Sequence, residues 1–175
     1  NAIFKLNPIL TVDIGNDVNA GEVVAMQGGI VYGGINTNNK SSYDIDTAIT
    51  LVAYAKGDNE FLGWTGCTAV SNTEGQACSV SLSDSKTVVA KFAPKPTLTI
   101  NKLGTGSGRV VANGLDCGAT CATKYFTDQK VILTVIPNAN SRFDGWVKDV
   151  ACTNKNVCSV IMGGTMSVTA KFNLR

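Results

Sequence analysis

The 175-residue sequence predicts a mainly β protein built from two tandem small modules. Three observations lead to that reading. Residues 49–64 (ITLVAYAKGDNEFLGW) return without a gap at 131–146 (VILTVIPNANSRFDGW), an offset of 82. Such self-similarity at a fixed period identifies the structural unit. Apolar, β-branched and aromatic residues come in short runs separated by clusters of Gly, Asn, Asp and Ser, the pattern of strands and turns. No segment of ten or more residues holds a 3.6-residue period, so little helix is expected.

In the first module, strands are expected at Leu10–Ile14, Gly21–Met26, Ala48–Ala55, Ala77–Leu82 and Thr87–Phe92. In the second they are expected at Thr97–Lys102, Gly108–Ala112, Lys130–Ile136, Val157–Met162 and Met166–Phe172. Each is a short run of apolar, β-branched or aromatic residues set off by turn-forming clusters. The last also alternates, with Val168, Ala170 and Phe172 on one face and Ser167, Thr169 and Lys171 on the other. Further matches extend the repeat: Gly21-Glu-Val-Val-Ala25 pairs with Gly108-Arg-Val-Val-Ala112, and Val88-Val-Ala-Lys-Phe92 with Val168-Thr-Ala-Lys-Phe172. The expected organisation is an N-terminal strand segment (1–9), module 1 (10–92), a proline-containing linker (93–97) and module 2 (98–175). The changing offset places five extra residues of module 1 between Met26 and Ser42, and two more between Trp64 and Cys78.

Charged residues make up only 16% of the chain, against roughly 25% in an average soluble protein. The net charge of +2, with no run of like charges, argues against nucleic-acid partners and against a basic membrane-binding face. No stretch of about 18 apolar residues is present, so membrane insertion by a helix is not expected. The start at Asn1 fits either a processed exported protein or an excised segment. Low charge and cysteine usage favour export to the cell surface or beyond, with a signal peptide already removed. The absence of histidine removes the usual general base and the commonest metal ligand together. No enzyme activity and no cofactor are expected.

The order Gly-x-Val-Val, a Val/Ile-rich strand, Phe-x-Gly-Trp and Val-x-Ala-Lys-Phe resembles the divergent InlB B-repeat, in its cysteine-bearing variety, in two copies. In that variety one close Cys pair precedes the Val-rich strand and a second follows the Trp. Both occur in the second unit, as Cys117/Cys121 and Cys152/Cys158. The resemblance implies small β-grasp-like or mainly β antiparallel modules in bacterial secreted or surface-displayed proteins, usually without a catalytic role. Module 1 departs from the pattern: a Gly/Asn-rich loop, Gly28–Asn39, stands where the first Cys pair would be.

Six cysteines allow 15 pairings. The duplication narrows them, because Cys67 and Cys78 occupy the same inter-strand region as Cys152 and Cys158. Intra-repeat bridges Cys67–Cys78 and Cys152–Cys158 follow, with Cys117–Cys121 as a local third. The rival, four thiolates around zinc, lacks a Cys-x-x-Cys pair and any histidine.

Trp64 and Trp146, each after Phe-x-Gly, suit a sugar-stacking platform or a core anchor. The core reading is favoured because the residues that follow, Thr65-Gly66 and Val147-Lys148-Asp149, share no polar partner. Gly104-Thr-Gly106-Ser-Gly108 leads into a strand rather than a helix, so it reads as a hairpin turn and not a phosphate cradle. Asp13, Asn16, Asp17, Asn19 and Glu22 do not match the calcium-loop spacing and read as solvated turns. Asp44 and Asp46 stand two apart with no basic partner in view.

The surfaces left for function are the apolar N-terminal residues Ile3, Phe4, Leu6 and Ile9, and the Gly28–Ser42 insertion with Tyr32, Asn36, Asn38 and Asn39. The N-terminal segment either docks on its own module as an edge strand or completes the sheet of an adjacent subunit. The sequence therefore reads as a non-enzymatic extracellular structural or adhesive protein, with a filament subunit assembled by strand addition as its specific form. Its partners would be further copies of itself or a surface glycan or protein receptor. The alternative is a carbohydrate- or ligand-binding module.

Overall fold

The computed structural model describes residues 6–15, 17–70, 76–118, 121–147, 152 and 157–175. The chain divides into two units, Asn1–Pro94 and Lys95–Arg175. Unit 1 contains β1 (Ile9–Asp13), β2 (Gly21–Ala25), β3 (Val31–Gly33), β4 (Asn36–Asn38), β5 (Lys40–Ser42), β6 (Ala48–Ala55), β7 (Asn59–Thr65), β8 (Thr68–Ala69), β9 (Ala77–Ser81) and β10 (Lys86–Pro94). Unit 2 contains β11 (Thr97–Leu103), β12 (Gly108–Ala112), β13 (Leu115–Asp116), β14 (Ala122–Lys124), β15 (Lys130–Pro137), β16 (Ser141–Trp146), β17 (Val157–Ile161) and β18 (Met166–Leu174). No helix occurs among the described residues.

Each unit is built from two sheets. In unit 1 the orders are β5-β1-β10-β7 and β4-β3-β2-β6-β9-β8. In unit 2 they are β14-β11-β18-β16 and β13-β12-β15-β17. Alternating side chains from both sheets of a unit meet in one core. In unit 1 these include Leu10, Val12, Val88 and Ala90 from the first sheet and Val23, Ile49, Leu51 and Val80 from the second. In unit 2 they are Leu98, Ile100, Val168 and Ala170, with Val110, Val131, Leu133 and Val160 opposite. Burying each large aliphatic side chain supplies roughly 1.5–3 kcal/mol, the main favourable term for units this small.

Among the described residues, every strand pair is antiparallel except one in each unit. β1 pairs parallel with β10, Leu10 opposite Lys86 through Asp13 opposite Val89. β11 pairs parallel with β18, Leu98 opposite Met166 through Leu103 opposite Lys171. The first and last strands of each unit are therefore neighbours at the centre of a sheet. Alternation reveals which face is buried but not strand direction, so this pairing could not be read from the pattern.

The structure corrects the expected Gly28–Asn39 loop. β3 and β4 form a hairpin at the margin of the second sheet, and β5 follows at once on the margin of the first. The hairpin depends on glycine: Gly33 has φ 130°, and a Cβ there would collide with the Gly21 carbonyl and lie 2.8 Å from Glu22 Cα. The 104–107 segment is likewise not a hairpin turn. It carries the chain from β11 to β12, which belong to different sheets, and Gly106 N donates to Phe172 O at 3.0 Å.

The Phe-x-Gly-Trp motif forms β7 and β16, two strands that the glycine hides from a propensity reading. In each, one residue is extra to the register. Phe92 lies opposite Phe61 and Lys91 opposite Gly63, which skips Leu62; Phe172 lies opposite Phe143 and Lys171 opposite Gly145, which skips Asp144. These are β-bulges, and the motif's glycine supplies the positive φ, 136° at Gly63 and 121° at Gly145.

The bulge brings three aromatic rings together. Phe61 lies 5.3 Å from Trp64 and 5.4 Å from Phe92; Phe143 lies 5.3 Å from Trp146 and 5.7 Å from Phe172. The third ring of each triad sits over a glycine of the other sheet. A Cβ on Gly21 would enter the Phe92 ring, and one on Gly108 the Phe172 ring. This contact explains why Gly-x-Val-Val and Val-x-Ala-Lys-Phe occur together. Neither glycine has a positive φ, so the constraint is purely steric. Gly108→Ala is expected to destabilise the protein by about 1–3 kcal/mol through overpacking, instead of the gain that alanine brings at an open extended site. Urea unfolding monitored by tryptophan fluorescence checks this, and an unchanged midpoint would contradict the steric account.

Candidate interaction surface

The residues expected to make contacts divide into those the fold uses and those it leaves outward. Ile3 and Phe4 lie outside the described residues. Leu6 is 90% exposed, whereas Pro8 is buried and Ile9 begins β1 at a half-exposed position. Asn7 Nδ2 donates to Asp44 Oδ1 at 3.0 Å, and Tyr43 N to Pro8 O at 3.2 Å, so the chain is anchored from Asn7 onward.

In the insertion, the asparagine side chains hydrogen-bond within their own unit. Asn36 Nδ2 donates to Glu22 Oε1 at 2.7 Å, Asn38 Nδ2 to the Gly29 carbonyl, and Asn39 Nδ2 to Val12 O at 3.4 Å. Tyr32 is partly buried against the core. The most exposed large apolar side chain of this hairpin is Ile35, 96% exposed between β3 and β4.

Both tryptophans are partly buried and packed against their cores, and Trp64 Nε1 donates to Gln76 O at 3.2 Å. Lys148 and Asp149 lie outside the described residues. The cysteines are joined as Cys67–Cys78, Cys117–Cys121 and Cys152–Cys158. Asn16 of the oxygen-rich cluster lies outside the described residues. Its neighbours Asp13 and Asp17 accept from Gly15 N and Asn19 N, each at 2.9 Å, as turn-forming side chains do. Glu22 is engaged elsewhere, with Lys56 Nζ at 2.8 Å. Among the described residues, no three His, Cys, Asp or Glu side chains gather as a metal site would need.

Two features escaped the sequence reading. Tyr43 and Tyr125 are the same latch repeated: Tyr43 OH donates to Gly28 O at 2.6 Å, and Tyr125 OH to Asn113 O at 2.7 Å. Partial burial raises both hydroxyls above the usual tyrosine range. The offset of 82 already matched these tyrosines, but their sequence neighbours differ. The second feature is the outer face of the β13-β12-β15-β17 sheet. Ile132, Ile136, Val157 and Ile161 are each between 41% and 62% exposed there. The stretch Val131–Ile136, apolar at every position but Thr134, was the available signal, since a strand with one wetted face should alternate. The equivalent positions in unit 1 include Thr50, Tyr54 and Ser81.

The profile of the divergent InlB B-repeat domain matches residues 22–96 and again residues 98–175. The chain belongs to this family. The second match covers unit 2 from Leu98 onward, whereas the first begins at Glu22, after β1 and Gly21, and covers the remainder of unit 1. The Gly21/Phe92 and Gly108/Phe172 contacts nevertheless give the paired motif residues of both units the same roles. No curated protein matches the chain. Among solved structures, the pilus adhesin SpaC from Lactobacillus rhamnosus GG, in its open conformation, is similar at 10% identity and TM-score 0.30 over 97% of this chain. The chain spans 31% of that adhesin's length. A C-terminal fragment of SpaC (11% identity, TM-score 0.31) and the T-13 major pilin of Streptococcus pyogenes (9%, 0.32) each match over 98% of this chain and 97% of their own.

The two B-repeats diverge in the charges flanking the shared glycine. Glu22 in the first pairs with Lys56; Arg109 in the second lies 3.6 Å from Asp116. The hydrogen bond from Lys56, its charge and the Asn36 amide hold the Glu22 carboxyl below the usual carboxylate range, against the opposing effect of burial. A lowered folded-state value means that the stabilisation is present above the unfolded glutamate value of about 4.3 and is lost as pH falls through the folded value. Glu22→Gln should therefore reduce stability near neutrality and flatten the loss on acidification. Melting temperatures of both proteins between pH 7 and pH 3 should converge at the acid end, and parallel curves would exclude the pair as the cause.

Proposed function

We propose that this chain is a non-enzymatic, extracellular structural or adhesive protein of a bacterial surface, and that it self-associates through exposed β surface. The observation that carries the reading is how each B-repeat spends its chemistry. Cysteines are joined to each other, the aromatic motif is packed into the core, the insertion's asparagines are bonded internally, and large apolar side chains are left outward. Contiguous exposed apolar surface on a small protein marks a contact site. Membership in a repeat family of extracellular proteins, and covalent bridges suited to an oxidising exterior, support the location.

The specific form of the proposal is strand addition by the N-terminal segment. Leu6 points away from its own unit at 90% exposure, immediately before an anchored Asn7-Pro8. An extended apolar segment joining a neighbour's sheet would gain main-chain hydrogen bonds and bury those side chains. Because Pro8 is buried and Ile9 begins β1, the informative truncation removes residues 1–6 only. The intact protein should assemble into oligomers or filaments by light scattering and electron microscopy, and the truncated protein should remain folded and monomeric. Assembly unaffected by the truncation would rule out strand donation.

A further inference from the structure

We propose that each B-repeat is a shear-loaded mechanical clamp, and that the chain carries tension through two such clamps in series. The inference goes beyond self-association, since it holds for a single chain stretched between any two attachments. It follows from the parallel pairing of first and last strands. Tension enters unit 1 at the N-terminal end of β1 and leaves at the C-terminal end of β10. In a parallel pair those two points lie at opposite ends of the ribbon. The strands must then slide lengthwise, and all the hydrogen bonds between them bear load together. Had the pair been antiparallel, both points would lie at one end, and the bonds would break one at a time.

Three further observations fit a load-bearing role. The clamp strands are the central pair of their sheets, flanked by β5 and β7 in unit 1 and by β14 and β16 in unit 2, so neighbours cover their outer edges. Their inward side chains Leu10, Val12, Val88 and Ala90, and Leu98, Ile100, Val168 and Ala170, are buried, which keeps water from competing for the bonds on that face. Only Lys95 and Pro96 separate β10 from β11, so little slack chain lies between one clamp and the next. The disulfides have a different task. None links β1 to β10 or β11 to β18; they close short loops whose ends are 11, 4 and 6 residues apart, withholding that length when a unit opens. The clamp of unit 1 has four paired positions and that of unit 2 has six, so unit 1 should yield first.

Single-molecule force spectroscopy on the full chain tests this with two attachment geometries. Handles at the two termini load β1 and β10 in shear. Handles at the N-terminus and at Asp84, in the turn before β10, peel the same strands apart from one end. At equal loading rate the rupture force of unit 1 should be several-fold lower in the peeling geometry; equal forces would overturn the clamp. Repeating the terminal pull after reduction should leave the rupture force unchanged. It should lengthen the unit 1 event by the withheld loop, about 4 nm at ~3.5 Å per residue. A fall to the peeling force on reduction would transfer the resistance to the disulfides and equally overturn the proposal.

Discussion

The contact between an aromatic ring and a glycine backbone is the constraint on which each unit depends. Phe92 and Phe172 come from the last strand of one sheet, and Gly21 and Gly108 from the first strand of the other. The contact therefore ties the two sheets together and sets their spacing at that end of the core. The ring also packs against Phe61 or Phe143 of a bulged strand, which in turn packs against Trp64 or Trp146, and that strand's own glycine permits the bulge. Four motif elements dispersed along some 70 residues thus meet at one place. Removing any one leaves a void or a clash in a core with little volume to spare.

Much of this was legible in the sequence because it was written twice. Ala48–Ala55 is a strand over the expected residues, and Lys130–Pro137 extends the expected one by a single residue. The repeat made the cysteine partners readable as well. What remained hidden was hidden for physical reasons. β7 and β16 contain a glycine and an unpaired residue, so neither alternation nor propensity marks them as strands. The β3–β4 hairpin reads as a loop because Gly33, Gly34, Asn36 and Asn38 break up its few apolar residues, and its close backbone approach at Gly33 leaves no mark in an apolar pattern. The intra-unit hydrogen bonds of Asn36, Asn38 and Asn39 were hidden as well, because a short polar side chain does not reveal whether it will bond water or its own unit.

The two copies also show which positions the fold holds and which it releases. Core positions of β6 and β15 keep Ile or Val, Leu and then Ala or Val, while the outer face of the same strands changes from Thr50 and Tyr54 to Ile132 and Ile136. Asp46 and Asp128 occupy the same left-handed turn, φ 63° and 62°, and each donates its backbone N–H to the carbonyl of the residue that follows β9 or β17, Leu82 or Met162. Turn geometry and core are shared; surface chemistry is not. One scaffold thereby presents two different faces to its surroundings.

The connectivity of the bridges bears on how such a chain matures. The cysteines are joined in consecutive pairs along the polypeptide, 67 to 78, 117 to 121 and 152 to 158. Oxidised progressively from Cys67 onward, these six cysteines never leave more than one thiol unpaired, and the next cysteine to emerge is then its correct partner. Correct connectivity then needs no reshuffling enzyme and no prior folding of either module, because order of appearance alone selects it.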